Sequence, residues 1–263
     1  MKLYFVKYEG AGNDFILVDN RSRVVNHEQP RLISRLCNRH FGIGADGVLF
    51  LQNKPGFDFE MVYYNADGKP SSMCGNGGRC IVAFAKKLKI IDRHAHFLAA
   101  DGPHHATISE DGGWVSLQMI DVYDIKNDGK ALVLDTGSPH YVLNAERVEL
   151  KDVRAEGKKI RYSAPYAENG INVNFVEDKG AYYFVRTYER GVEDETYACG
   201  TGVTAAAIAM ARQRDDVGEI HTTIHTLGGK LNVHFNYDGQ FFTQVFLEGP
   251  ATYVYKGVID IVR

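Results

Sequence analysis

Two cysteines, Cys74 and Cys199, each open the phrase Cys-Gly-x-Gly ahead of a long apolar run, and they stand 125 residues apart. The same displacement lays Gly12-Asn13-Asp14 on Gly137-Ser138-Pro139, Val48 and Phe50 on Val173 and Phe175, and Tyr63-Tyr64-Asn65 on Tyr188-Glu189-Arg190. Landmarks that keep register without a gap mark an internal duplication, and a fixed repeat restricts the fold more than any local propensity does. The chain reads as two halves of one ancestral unit, each contributing one thiol.

Both cysteines precede helical stretches, Cys80 to Ala85 and Val203 to Ala211, that are apolar on every side. Such helices belong in an interior. Strand-like runs surround them: Leu3 to Tyr8, Phe15 to Asp19, Phe57 to Tyr64, Trp114 to Met119, Tyr182 to Tyr188, Glu219 to Thr226, Leu231 to Phe235 and Phe241 to Leu247. Asp111-Gly112-Gly113, Gly228-Gly229 and Asp238-Gly239 supply hairpin turns. The pattern predicts an α+β fold of two pseudo-symmetric domains, each a rolled, mostly antiparallel sheet around one buried helix. The first domain spans 1–119 and is completed by 250–263, and the second spans 120–249. With no flexible linker separating them, the halves are expected to face each other across a narrow cleft.

At 263 residues the chain is long enough for two cores. A net charge of -3 with interspersed signs offers no basic stripe for nucleic acid. The short apolar run at Leu3-Tyr4-Phe5-Val6 is neither a secretory signal nor a membrane span, which predicts a soluble, cytoplasmic protein. Four cysteines are too few for a disulfide scaffold, and no spacing matches a zinc knuckle. Cys37, on a helical face with Leu32, Ile33 and Leu36, and Cys80, inside the first apolar helix, read as packing.

The first N–H groups of a helix lack internal partners and carry partial positive charge, so they bind anions and favour a thiolate. A cysteine there becomes a usable base. Two such sites holding one carboxylate would place the α-carbon between two thiols, which suits 1,1-proton transfer: one thiolate removes the α-proton and the other thiol returns a proton to the opposite face. N–H donors at the carboxylate stabilise the carbanionic intermediate. Neither metal nor organic cofactor is required.

At these motifs the chain resembles the diaminopimelate epimerases. The resemblance rests on Gly10-Ala11-Gly12-Asn13-Asp14-Phe15, Arg39-His40-Phe41-Gly42-Ile43-Gly44-Ala45-Asp46, Tyr64-Asn65-Ala66-Asp67-Gly68, Met73-Cys74-Gly75-Asn76-Gly77, Asn172-Val173-Asn174-Phe175, and Thr187-Tyr188-Glu189-Arg190-Gly191 leading to Ala198-Cys199-Gly200-Thr201-Gly202. It implies cofactor-independent interconversion of LL- and meso-2,6-diaminopimelate, a step toward lysine and peptidoglycan precursors. It implies that Cys74 and Cys199 are the acid and base, tuned by His140 and Glu189, and that Gly75, Asn76, Gly200 and Thr201 hold the reacting carboxylate with Asn13 nearby. The distal end of the substrate would meet Asn65, Asn172, Glu189 and Arg190. Tyr255 matches a position near a dimer contact, so a homodimer is expected.

Two positions depart from the family pattern. Ser138 replaces a common asparagine at the distal site, with a hydroxyl of shorter reach that a water could extend to the substrate. Gly47 replaces a glutamine and offers no side chain. Among competing readings, a proline or hydroxyproline racemase-like enzyme shares the two-thiol logic, and a non-catalytic amino-acid binder or thiol redox sensor would keep the fold without turnover. Gly42 to Gly47 formally spells a dinucleotide fingerprint, but a helix precedes it and a strand follows, the reverse of what that motif needs.

Overall fold

The computed structural model describes residues 1–71 and 73–261. The chain divides into two compact units, one formed by Met1–Leu117 together with the stretch from Gly249 onward, the other by Gln118–Glu248.

In the first unit the strands are β1 (Lys2–Gly10), β2 (Asn13–Asp19), β3 (Gly47–Gln52), β4 (Phe59–Asn65), β5 (His94–Ala99), β6 (Gly102–Ile108), β7 (Trp114–Gln118) and the returning β17 (Thr252–Asp260). They pair in the order β17-β1-β2-β3-β4-β5-β6-β7, parallel only at β2–β3 and β4–β5. Helix α1 (Pro30–Cys37) opens with proline at its first turn, where the missing N–H costs nothing. It buries Ile33, Leu36 and Cys37, and burial pushes the Cys37 thiol up to about 12, as its packing role requires. Helix α2 (Gly75–Lys87) packs against β1, β2, β3 and β6, and every residue from Gly75 to Ala85 is buried.

The second unit repeats this plan. Its strands are β8 (Ile125–Asp128), β9 (Ala131–Asp135), β10 (Pro139–Asn144), β11 (Asn172–Asp178), β12 (Tyr183–Glu189), the short β13 (Asp194–Thr196), β14 (Gly218–Thr226), β15 (Gly229–Tyr237) and β16 (Phe242–Pro250). They pair as β8-β9-β10-β11-β12-β14-β15-β16, parallel only at β10–β11 and β12–β14, with β13 folded onto β12. The register is repeated too. Phe15 pairs with Gly47 in the first unit, and their counterparts 125 residues on, His140 and Asn172, pair in the second. Helix α4 (Gly200–Arg214) fills this sheet as α2 fills the first. The α+β class expected from the alternating strands and the two apolar helices is the one observed.

Helix α3 (Val153–Arg161) is the counterpart of α1 and was not signalled by its sequence, which is strongly polar. It buries only Val153 and Gly157. It forms because the Asp152 side chain accepts from the Ala155 N–H at 2.9 Å, and because Gly157 lies against Tyr188, whose Cβ would be 2.4 Å from any Cβ placed there.

Candidate active site

Cys74 and Cys199 are the N-cap residues of α2 and α4. Both have extended backbone, and their carbonyls accept the first helical bonds, from Gly78 at 2.7 Å and Val203 at 2.8 Å. The N–H groups of Gly75, Asn76, Gly200 and Thr201 therefore lie in the first turns and have no acceptor within their helices. Cys74 is half-buried and Cys199 buried. Each sulfur meets a polar neighbour: Cys74 Sγ lies 3.6 Å from Asn13 Oδ1, and Cys199 Sγ lies 3.4 Å from Thr201 Oγ1.

In the first unit Asn13 is held from both sides. Its Oδ1 accepts from Asn76 Nδ2 at 3.4 Å, and its Nδ2 donates to Asp46 Oδ2 at 2.6 Å. Asp46 is paired with Arg39 at 2.9 Å, Arg39 forks onto Asp14 at 2.9 and 2.7 Å, and buried Lys7 pairs with Asp14 at 2.8 Å while donating to the Gly44 carbonyl. Burial alone would raise the Asp14 carboxyl, but the bonds and charges of Arg39 and Lys7 outweigh it and hold the group at about 2. Two cations and two anions thus fix the asparagine that touches Cys74. Arg79, fully buried one turn into α2, donates back to Asn76 Oδ1 at 2.9 Å and to the Gly75 carbonyl at 3.3 Å. Burial pulls its guanidinium below its ordinary range.

Strand register sets Gly47 opposite Asn65, which is exposed at the end of β4. A Cβ at Gly47 would lie 2.5 Å from the Tyr63 ring and 2.6 Å from the Tyr64 carbonyl. The volume a side chain would take at this position is occupied by Tyr63, which the sequence marked only as a landmark of the repeat.

In the second unit Ser138, Asn172 and Arg190 come together. Asn172 Nδ2 donates to Ser138 Oγ at 2.8 Å and to the Pro139 carbonyl at 3.1 Å, and Asn172 Oδ1 accepts from the Arg190 N–H at 2.8 Å. The Arg190 guanidinium donates to Ser138 Oγ at 3.3 Å and to the Asn169 carbonyl at 3.1 Å. Ser138 Oγ accepts twice and keeps its own hydrogen to donate, so a serine at this position still presents a donor. Glu189 Oε2 accepts from Thr196 Oγ1 at 2.9 Å.

The His140 ring is wholly buried on β10, and burial, reinforced by the charge of Arg190, pulls it from its ordinary range down to about 3. It is neutral throughout the physiological range and can act only through its fixed N–H and lone pair. Its Nδ1 lies 3.1 Å from Asn174 Nδ2, and Thr187 Oγ1 donates to Asn174 Oδ1 at 2.9 Å. Asn174 and Thr187 were missed, although a usable signal existed. In Asn172-Val173-Asn174 the two asparagines alternate, and alternate residues of a strand share a face.

The family model described as Diaminopimelate epimerase matches residues 5–123 and again 132–254, one match for each half of the repeat. A diaminopimelate epimerase of Flavobacterium psychrophilum is 52% identical over 260 residues, covering 98% of this chain and 100% of that protein. One from Chlorobaculum tepidum is 40% identical over 262 residues, covering 96% and 99%. Among solved structures, a Bacillus anthracis phenazine biosynthesis protein of the PhzF family superposes with a TM-score of 0.78 at 13% identity, covering 99% of this chain and 100% of that one, and so shares the fold. The chain belongs to the diaminopimelate epimerase family.

Proposed function

We propose that the protein interconverts LL- and meso-2,6-diaminopimelate by moving a proton at one α-carbon, within the supply of lysine and peptidoglycan precursors. The observation that carries this reading is the pair of cysteines held in the same N-cap conformation at two buried helices, in a chain 52% identical to a diaminopimelate epimerase over nearly its whole length. One thiolate removes the α-proton and becomes a thiol. The other thiol protonates the opposite face and becomes a thiolate, so charge is conserved and configuration inverts. In the interval the electron pair spreads onto the substrate carboxylate, where the N–H groups of Gly75, Asn76, Gly200 and Thr201 are the donors. A preorganised donor of this kind contributes about 10²–10³ in rate. The chemistry calls on no pyridoxal or metal.

In the same reading Asn13 and Thr201 orient the thiols beside them. Arg190 and Ser138, braced by Asn172, bind the distal carboxylate, a fork geometry to which Arg is suited. Glu189 and backbone carbonyls receive the distal ammonium, Asn65 helps read that end of the substrate, and Gly47 leaves its place to Tyr63. A cytoplasmic homodimer is part of the proposal. The support for the dimer is β17, where Tyr253, Val254, Tyr255 and Val258 are all exposed, beside exposed Tyr4 on β1.

The test is incubation of reduced protein with LL-2,6-diaminopimelate in D₂O, following α-deuteration and stereochemistry, with Cys74→Ala and Cys199→Ala as controls. Deuterium entry with appearance of the meso isomer, abolished in both variants, is the expected result. Absence of exchange from folded, reduced protein overturns the reading.

A further inference from the structure

We infer that Asn174 is a positioning residue that locks His140 in its Nε2–H tautomer, so that the ring presents one fixed N–H donor beneath the first turn of α4. The catalytic consequence rests on the proposed function, whereas the tautomer does not.

The hydrogen-bond network itself fixes the direction of the Asn174 amide. Asn174 Nδ2 lies 3.2 Å from the Tyr141 carbonyl, which can only accept, so the nitrogen must be on that side. Its second hydrogen points to His140 Nδ1 at 3.1 Å, which must therefore supply a lone pair. Thr187 Oγ1, free to donate, satisfies the amide oxygen at 2.9 Å in that orientation. A neutral imidazole carries one N–H, and with Nδ1 accepting, that hydrogen is on Nε2. The ring is neutral because it is buried. His140 Nε2 is itself buried and has no hydrogen-bond partner among the described residues. A buried donor left unpaired is destabilising, so an acceptor is wanted there.

The internal repeat shows that this arrangement is specific to one half. Gly77 of α2 packs on Phe15 and Leu49, each 3.5 Å from where its Cβ would be. The residues 125 further on are Gly202, His140 and Asn174. A Cβ on Gly202 would meet Asn174 Oδ1 at 2.4 Å and Cys199 Sγ at 3.4 Å. Gly77 behind the Cys74 helix meets apolar side chains and Gly202 behind the Cys199 helix meets Asn174, while His140 and Asn174 stand where the first half has Phe15 and Leu49. The acceptor suited to His140 Nε2–H is an anion at the start of α4, the Cys199 thiolate.

Protein labelled with ¹⁵N-histidine, with the His140 signals assigned by loss in His140→Gln, reads the tautomer directly by NMR. The wild type is expected to show protonated Nε2 and bare Nδ1 from pH 8 down to about 5.5, where an ordinary histidine would become charged. Asn174→Asp replaces the N–H donor with an acceptor. It is expected to move the proton to Nδ1 or charge the ring, and to lower kcat about tenfold or more, the scale of a mispositioned proton-transfer group, with little change in KM. Asn174→Ala, which removes the donor to Nδ1, is expected to give mixed tautomers and covers the case in which Asn174→Asp does not fold. An Nδ1–H ring in the wild type, or ring signals unmoved in the folded variants, overturns the inference. If the Nε2–H tautomer is present but diaminopimelate undergoes no α-exchange, the functional reading fails and the assignment of Asn174 stands.

Discussion

Cys74 and Cys199 hold nearly the same backbone conformation, φ -116° and ψ 119° for one and φ -105° and ψ 112° for the other, at the N-caps of α2 and α4. An extended N-cap is the conformation in which serine, threonine, asparagine or aspartate normally accepts a hydrogen bond from the helix start, and cysteine is a poor substitute. Neither thiol makes that capping bond. Both positions therefore give up helix stability in favour of a thiol.

Replacing either cysteine with serine tests this. Cys74→Ser and Cys199→Ser should each be at least as stable as the wild type in urea unfolding, with up to about 1 kcal/mol gained from the new cap. Turnover should fall by roughly 10²–10⁴, since the hydroxyl neither ionises nor transfers a proton as the thiol does.

The two helix glycines, Gly77 and Gly202, should respond differently to alanine. At Gly77 a methyl group would make ordinary contact with Phe15 and Leu49. Gly77→Ala should be neutral or stabilising, because alanine favours a helix over glycine by about 1 kcal/mol. At Gly202 the methyl would displace Asn174 Oδ1, so Gly202→Ala should cost about 1–3 kcal/mol and reduce turnover. Urea midpoints of the two variants make the comparison.

Gly47→Ala is expected to destabilise by about 1–3 kcal/mol, because its methyl would overlap both the Tyr63 ring and the Tyr64 carbonyl. Combining it with Tyr63→Ala should recover only part of the loss, because the overlap with backbone remains. A thermal-unfolding double-mutant cycle would show coupling between the two sites.

The acid side of the stability profile carries a His140 signature. The unfolded chain takes up a proton at this residue near pH 6.5, and the folded one not until about 3. Within that window the unfolded state binds more protons, so stability falls as pH falls, by up to about 1.4 kcal/mol per unit. His140→Phe, which installs the residue found at the equivalent position of the first half, should flatten urea-derived stability between pH 6.5 and 5 while impairing turnover.

Asp14 acts lower on the scale. Its folded carboxyl sits at about 2, below its ordinary value near 3.8. Its contribution is complete above about pH 5 and is lost as pH falls through about 2, amounting to about 2 kcal/mol. Asp14→Asn should lower stability at pH 7 and remove that part of the acid transition. Because Asp14 pairs with Arg39, which also holds Asp46 and through it Asn13, turnover should fall as well.

The sequence by itself determined the duplication, the two buried helices, most strands and the two thiols, because each is written in local pattern: alternation, an apolar run, a turn dipeptide, a motif said twice. Ser138 and Gly47 stood out only against the pattern of the family the chain resembles. Only the tertiary structure decided which side chains meet. Helix α3 is polar along most of its length and exists because Gly157 fits against Tyr188, a partner on another strand. Tyr63 fills the space beside Gly47 because β3 and β4 pair in one register. His140 looks in sequence like a titrating group and is held neutral by burial that no neighbouring residue in the chain reveals. Its partner Asn174 lies 34 residues away and reaches it only through the parallel pairing of β10 with β11. Chain order sets the elements, but hydrogen bonds and desolvation depend on distances that exist only after the strands have chosen their neighbours.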